Sequence, residues 1–402
     1  MTKTTNSTGW MITFAALGVN LILGLLYTWG VFQKALVAQW GWSSTMASLP
    51  YSVSIAVFAF TMIFAGRAQD KIGPRYVALL GGILLGIGLI ASGLTKSPTI
   101  MVITFGIFAA GGIGLGYSAT TPCAIKWFES SKRGLISGIV VAGVGLAPVY
   151  IAPLTNYLIE AYGIQQTFII LGVFAIVAIS LFSLFLKNPP ADYIPVQSSA
   201  SPQAASTKPE TPWNEMVKTP QFYLLWIMYL LSATAGLMLI GHLPKIAATQ
   251  AGWKAGFYLI VVLSVFNAIG RVLIGSLSDK IGRSTAMLIV FALQAANMFV
   301  FSFYTTIPAL IFGAALAGLA YGALFTLFPT TTADYFGVKN LGVNYGLIFT
   351  GWGIAGVVGP LLAGMVNDKT GTYSISYYVA GVLLIAAVIL VRTIKAPKKA
   401  SY

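Results

Sequence analysis

The sequence predicts an all-α membrane protein, with twelve transmembrane helices in two pseudo-symmetric six-helix bundles. Composition speaks first: of 402 residues, 57% are hydrophobic and only 8% charged, with a mean hydropathy of +0.85. A soluble domain carries about 25% charged residues. Apolar stretches of about 18 residues or more recur along the whole chain, each long enough to cross about 30 Å of hydrocarbon as a helix. Finally, motifs of the first half return in the second at a nearly constant offset.

Residues 9–32 form the first span. It lacks the short h-region and A-x-A site of a cleaved signal peptide and is read as a retained helix. After "QWGW" (39–42) comes span 2, 46–65, running into "GRAQDKIGPR" (66–75). Spans 3 and 4 are 76–94 and 99–124. "WFESSKRG" then leads to span 5, 134–157, and span 6, 166–186, completes the N-terminal bundle, 1–186. Residues 187–220 include "NPPADYIPVQSSASPQAASTKPETPWNEMVKTP", rich in Pro, Ser, Ala and polar residues. They read as a cytoplasmic linker, flexible at its centre. The C-terminal bundle, 221–402, holds spans at 221–243, 255–277, 285–303, 307–329, 342–366 and 373–391. Forty-three glycines suit such a protein, because small residues let membrane helices approach closely.

The repeat is read from three matches. "GRAQDKIGPR" and "GSLSDKIGR" (275–283) lie 209 residues apart, and "QWGW" and "QAGW" (250–253) lie 211 apart. "WFESSKRGLISGIVVAGVGLA" (127–147) matches "YFGVKNLGVNYGLIFTGWGIA" (335–355) at 208. Two six-helix halves in the same orientation follow. Transporters built this way hold substrate at the midplane and rock one half against the other. With both termini cytoplasmic, 17 of the 23 Lys and Arg fall on the cytoplasmic side, and Lys34, Lys96, Lys245, Lys254 and Lys369 fall outside. Arg271 belongs to neither side.

The net charge of +14 is thus mostly topogenic loop charge and no sign of nucleic acid. The single Cys123 excludes an intrachain disulfide and a cysteine-based metal cluster and reads as packing. One His, one Cys and no buried carboxylate argue against an enzyme. The linker and short termini leave no room for a sensor's signalling domain. With no nucleotide-binding loop and no cofactor expected, a secondary carrier remains, one that works as a monomer within the lipid bilayer.

"GRAQDKIGPR" and "GSLSDKIGR" resemble the G-x-x-x-D-[RK]-x-G-[RK] signature of the major facilitator superfamily, which implies the major facilitator fold. "MVKTPQFYLLW" (216–226), "WF…KRGLISG" and "NYG" (344–346) resemble its oxalate/formate antiporter family. The second also resembles the [YF]-F-x-[KR]-R-x-L-A-x-G motif of animal monocarboxylate transporters, departing from it with Ile136 for Ala and one extra residue after Phe128. Covering essentially the whole chain, the resemblance is to a bacterial homologue of the monocarboxylate transporters. It implies a multi-pass protein of the bacterial cytoplasmic (inner) membrane. In the signature, Asp70 with Arg75 and Asp279 with Arg283 are expected to latch one conformation closed.

Arg271 is the residue the composition does not explain. It stands eight residues before Asp279, about 12 Å along the helix, too deep for its side chain to snorkel without strain. A guanidinium within the membrane costs from about 2.5 to above 10 kcal/mol and faces a cavity or a partner. The missing partner is read as a substrate carboxylate held by both arms of the fork. Asn267, one turn away on the same face, is a second candidate. Tyr321 and Phe325 (i, i+4) and Phe349 and Trp352 (i, i+3) supply an apolar wall and a hydroxyl. Tyr117 and Tyr27 join the set by resemblance. Where the oxalate/formate antiporters carry a lysine in span 11, this chain has Trp352. One cation then suits a monocarboxylate anion such as lactate or pyruvate better than a dianion. Proton symport is implied by resemblance to the animal family. That family's proton-linked aspartate is here Asn267 and its span 1 lysine is absent, so His242 is the coupling candidate. The alternative is carboxylate exchange.

Overall fold

A computed structural model describes residues 2–190, 193, 210–253 and 255–395, the first five of these in backbone only. Among the described residues there are no strands, and eleven helical runs are long and apolar enough to cross a membrane. One of them, Ser130–Ser183, turns at Gly163 (φ 80°, ψ 169°), a conformation glycine adopts at little cost. That run is therefore spans 5 and 6, and twelve spans result. The linker centre (191–192 and 194–209), Lys254 and the chain beyond 395 lie outside the described residues.

Several boundaries differ from the sequence reading, each for a local reason. Span 1 runs Ser7–Trp40, tightening to a 3-10 turn at Gly24–Thr28 and resuming as Trp29–Trp40. Span 7, Pro220–Ile240, likewise continues past a break as Leu243–Ala251. Polar residues follow the predicted ends (Gln33 and Lys34, and Lys245 after Pro244) while the helix goes on, so the apolar window ended too early. Both distal pieces stop on a left-handed glycine, Gly41 and Gly252. "QWGW" and "QAGW" are one helix stop used twice. Spans 2 (Ser44–Ile72), 8 (Phe257–Ile281), 10 (Ile307–Phe336) and 11 (Leu341–Thr370) also outrun their predicted ends. Asp70 and Asp279 thus sit on last helical turns, before Gly73 (φ 93°) and Gly282 (φ 88°). Spans 3 (Pro74–Gly93), 4 (Pro98–Ile125), 9 (Arg283–Phe303) and 12 (Ser374–Thr393) complete the set.

The halves meet where span 2 packs on span 11 and span 5 on span 8. Backbones touch at these crossings. A Cβ on Gly134 would run into the Gly275 carbonyl, and one on Gly342 into that of Gly66. The end of the linker is anchored to the segment between spans 10 and 11. Glu210 accepts from Lys339 N at 2.7 Å, Thr211 N donates to Phe336 O at 2.9 Å, and Asn344 Nδ2 donates to Thr211 O at 2.9 Å.

Candidate substrate site

Span 8 carries Ser264, Asn267 and Arg271 along one face, at i, i+3 and i+7. The Arg271 side chain is wholly buried. Its Nε donates to Asn267 Oδ1 at 2.7 Å, and its Nη1 donates to the carbonyl of Val141 on span 5, in the other half. The Phe325 ring lies 4.3 Å beneath the guanidinium carbon, a cation–π arrangement. Nη2 has no partner. A buried donor without an acceptor is costly, and Arg271 is among the residues that line a cavity of about 270 Å³. With Nε and one Nη1 hydrogen taken, a carboxylate would meet the Nη edge of the fork rather than its Nε side.

Four of the eight predicted binding residues line this cavity: Arg271, Asn267, Tyr27 and Tyr321. The other four, Tyr117, Phe325, Phe349 and Trp352, do not. They form a layer beneath it, where Phe349 stacks on Trp352 at 4.9 Å and lies 5.8 Å from Tyr117, and Phe325 lies 5.9 Å from Trp352. Phe58 of span 2 closes the layer against Tyr117 and Trp352. The i, i+3 and i, i+4 spacings put each pair on one helix face. They do not say which of the pair reaches the cavity, because the helices converge there and the lower ring packs. Sequence reading missed Tyr51, Gln33, Ser264 and Trp29, all cavity-lining. Two signals were present: Ser264 continues the polar stripe of span 8, and Gln33 corresponds to cavity-lining Pro244 at the offset of 211.

His242 points elsewhere. Its Nε2 lies 3.1 Å from the carbonyl of Pro360 in span 11, and its Nδ1 meets the Tyr373 hydroxyl at 3.2 Å. Gly241 and Pro244 line the cavity on either side of it, yet the imidazole does not. The break in span 7 turns it outward, so its position ties spans 7, 11 and 12 together and gives the coupling role no contact with the site.

Below the aromatic layer, two carboxylates cross between halves. Asp279 accepts from Gly134 N and Leu135 N, both at 2.8 Å, at the start of span 5. It pairs with Arg283 at 2.7 Å. Arg283 also meets Asp334 at 3.0 Å, and Asp334 meets Arg133 at 3.3 Å. Asp70 accepts from Val343 N at 3.0 Å at the start of span 11 and pairs with Lys126 at 3.3 Å. Each acid meets the N-terminal end of a helix in the opposite half, where free N–H groups favour an anion. Arg75 takes no part and is exposed. Pro74 adds one residue, so Arg75 stands five residues after Asp70 whereas Arg283 stands four after Asp279, and it turns off the shared face. Lys126 fills the place expected of Arg75. Closed on this face, the site is approached from the opposite one, past Gly30 and Gln33 of span 1 and Gly241 and Pro244 of span 7.

Comparison with known proteins bears on the family and the fold. A family model, Major Facilitator Superfamily, matches residues 8–301 and 245–401. The oxalate:formate antiporter of Oxalobacter formigenes is 29% identical over 317 residues, 78% of this chain and 73% of the antiporter. Monocarboxylate transporter 13 of Rattus norvegicus is 26% identical over 390 residues, 94% of this chain and 87% of that one. Among solved structures, FucP in an outward conformation matches with a TM-score of 0.73 at 15% identity, over 96% of this chain and 99% of that one. That likeness is one of fold.

Proposed function

The chain belongs to the major facilitator superfamily, and from that premise we propose that it carries small monocarboxylates of the lactate and pyruvate type by alternating access, in symport with a proton. The observation that carries this reading is the buried guanidinium of cavity-lining Arg271, whose Nη2 has no hydrogen-bond partner. A carboxylate would satisfy it and neutralise the buried cation at once. Among the described residues no other cation lines the cavity, which favours one carboxylate over two. The two bundles, 1–186 and 221–402, would rock about the crossings of span 2 with 11 and span 5 with 8, with the Asp70 and Asp279 clusters as cytoplasmic latches. The bias of Lys and Arg to that face supports a bacterial inner-membrane orientation with both termini cytoplasmic, and the carrier works as a monomer.

Moving an anion inward against an inside-negative potential costs about 2.3 kcal/mol per charge per 100 mV, and a co-transported proton removes that cost. The cavity lining holds no Asp, Glu, Lys or His among the described residues, so the lining offers no such side chain to carry that proton. Arg271→Ala should abolish lactate binding and uptake, and Arg271→Lys should keep little, since a point charge does not reproduce the fork. Near-normal uptake by purified, folded Arg271→Ala in liposomes overturns the reading.

One observation favours exchange as a second reading. The bond from Arg271 to Val141 ties the halves together, so an arriving carboxylate would compete for the group that holds them. Uptake driven by a pH gradient into empty liposomes supports symport. Uptake seen only with internal carboxylate supports exchange.

A further inference from the structure

We propose that Trp352 is a positioning residue that turns the Tyr321 hydroxyl proton towards the cavity, so that the site takes short carboxylates bearing an acceptor oxygen on C2 in preference to 2-amino acids. The inference rests on the monocarboxylate reading and assigns the discrimination within it.

Trp352 is fully buried and does not line the cavity. It cannot touch a substrate in this state. Its indole Nε1 donates to the Tyr321 hydroxyl at 2.8 Å. Phe58, Phe325 and Phe349 surround the indole, with ring centroids 4.9–5.9 Å away, so the N–H has no room to turn to another partner. An indole nitrogen only donates. The bond therefore uses a lone pair of Tyr321 and sends the hydroxyl proton elsewhere. That hydroxyl has Trp352 and Tyr27 as hydrogen-bond neighbours, and Tyr27 also reaches Arg271. Arg271, which borders the same cavity, has no lone pair to offer. The proton points to the Tyr27 oxygen or to a ligand in the cavity.

The same logic orients Asn267. Arg271 Nε can bond only the amide oxygen, at 2.7 Å, which turns Asn267 Nδ2 away from it. Three donors then border the floor: Arg271 Nη2, Asn267 Nδ2 and the Tyr321 hydroxyl. A carboxylate with a neighbouring carbonyl or hydroxyl oxygen satisfies all three. An ammonium on C2 offers these three donors no acceptor and sets its positive charge beside the guanidinium, which disfavours it. The hydrogen of a 2-hydroxyl needs an acceptor, and Ser264 lines the same face of span 8.

The experiment uses the full chain in liposomes, with labelled lactate uptake competed by pyruvate, propionate or alanine. In the wild type, pyruvate should compete about tenfold better than propionate, the worth of one hydrogen bond, and alanine should not compete. Trp352→Phe and Tyr321→Phe should each bring the pyruvate-to-propionate ratio close to one, and the double variant should go no further. The ratio is internal to each preparation, so a smaller folded fraction does not distort it. An unchanged ratio in Trp352→Phe, multiplicative effects in the double variant, or alanine competing as well as propionate would each overturn the inference alone. Wild-type protein that takes up no lactate overturns the monocarboxylate reading and this inference with it.

Discussion

The two carboxylate clusters sit at matching places of the repeat and are built differently. Asp70 and Asp279 lie 209 residues apart, and the amides they reach, Val343 and Leu135, lie 208 apart. Backbone geometry has kept the symmetry. Charge has not, because at the offset of 208 Lys126 corresponds to Asp334. In the N-terminal half one acid meets one lysine. In the C-terminal half two acids alternate with two arginines, and Arg133 is drawn across from the other half. The difference teaches that the helix-end contact is the common element and that the side-chain charges around it are free to differ. It also predicts unequal strength, since planar guanidinium groups bridge two carboxylates where an ammonium is a point charge.

Removing charges should expose that inequality. Asp334→Asn should have the largest effect, because it leaves Arg133 and Arg283, 12% and 8% exposed, with one acid between them. Breaking a buried network costs about 3–5 kcal/mol. The melting temperature should fall furthest here. In a Cys123→Ser background, a cysteine placed on the face that carries the carboxylate clusters should become most reactive towards an impermeant thiol reagent.

Asp279→Asn should come next, at about 2–3 kcal/mol, the value of a hydrogen bond to a charged group, because Arg283 keeps Asp334. The same thiol assay should register a smaller opening. If Asp279→Asn opens that face more than Asp334→Asn, the helix-end contact outweighs the charge network and the ranking is wrong.

Asp70→Asn should cost about 1–2 kcal/mol, since it loses one lysine and weakens one helix-end contact. Equal melting shifts for Asp70→Asn and Asp279→Asn would erase the asymmetry. Arg75→Ala should stay within about 0.5 kcal/mol of wild type, as exposed substitutions do. A larger shift in melting temperature would return Arg75 to the cluster from which Pro74 displaces it.

The site shows the same division between pattern and assembly. Arg271 and Asn267 were legible because a cation in an apolar run demands an explanation and a polar residue one turn away shares its face. The aromatic candidates were legible as a set. Phe325, Phe349 and Trp352 were assigned to the cavity and pack beneath it, since helical spacing fixes a face and not a depth. Tyr51 gave no such signal, being one aromatic among many until span 2 brings it to the cavity.

By itself the sequence determined the membrane class, the twelve spans, the twofold repeat and the buried arginine. Each follows from local quantities, namely hydropathy over a span, residue spacing on a helix and the cost of burying a charge. Only the tertiary structure decided that the helices of spans 1 and 7 continue to Trp40 and Ala251, that Lys126 rather than Arg75 meets Asp70, that His242 faces spans 11 and 12, and that Trp352 touches Tyr321 instead of the cavity. Those facts depend on which helices converge and at what depth, and packing between distant segments sets both.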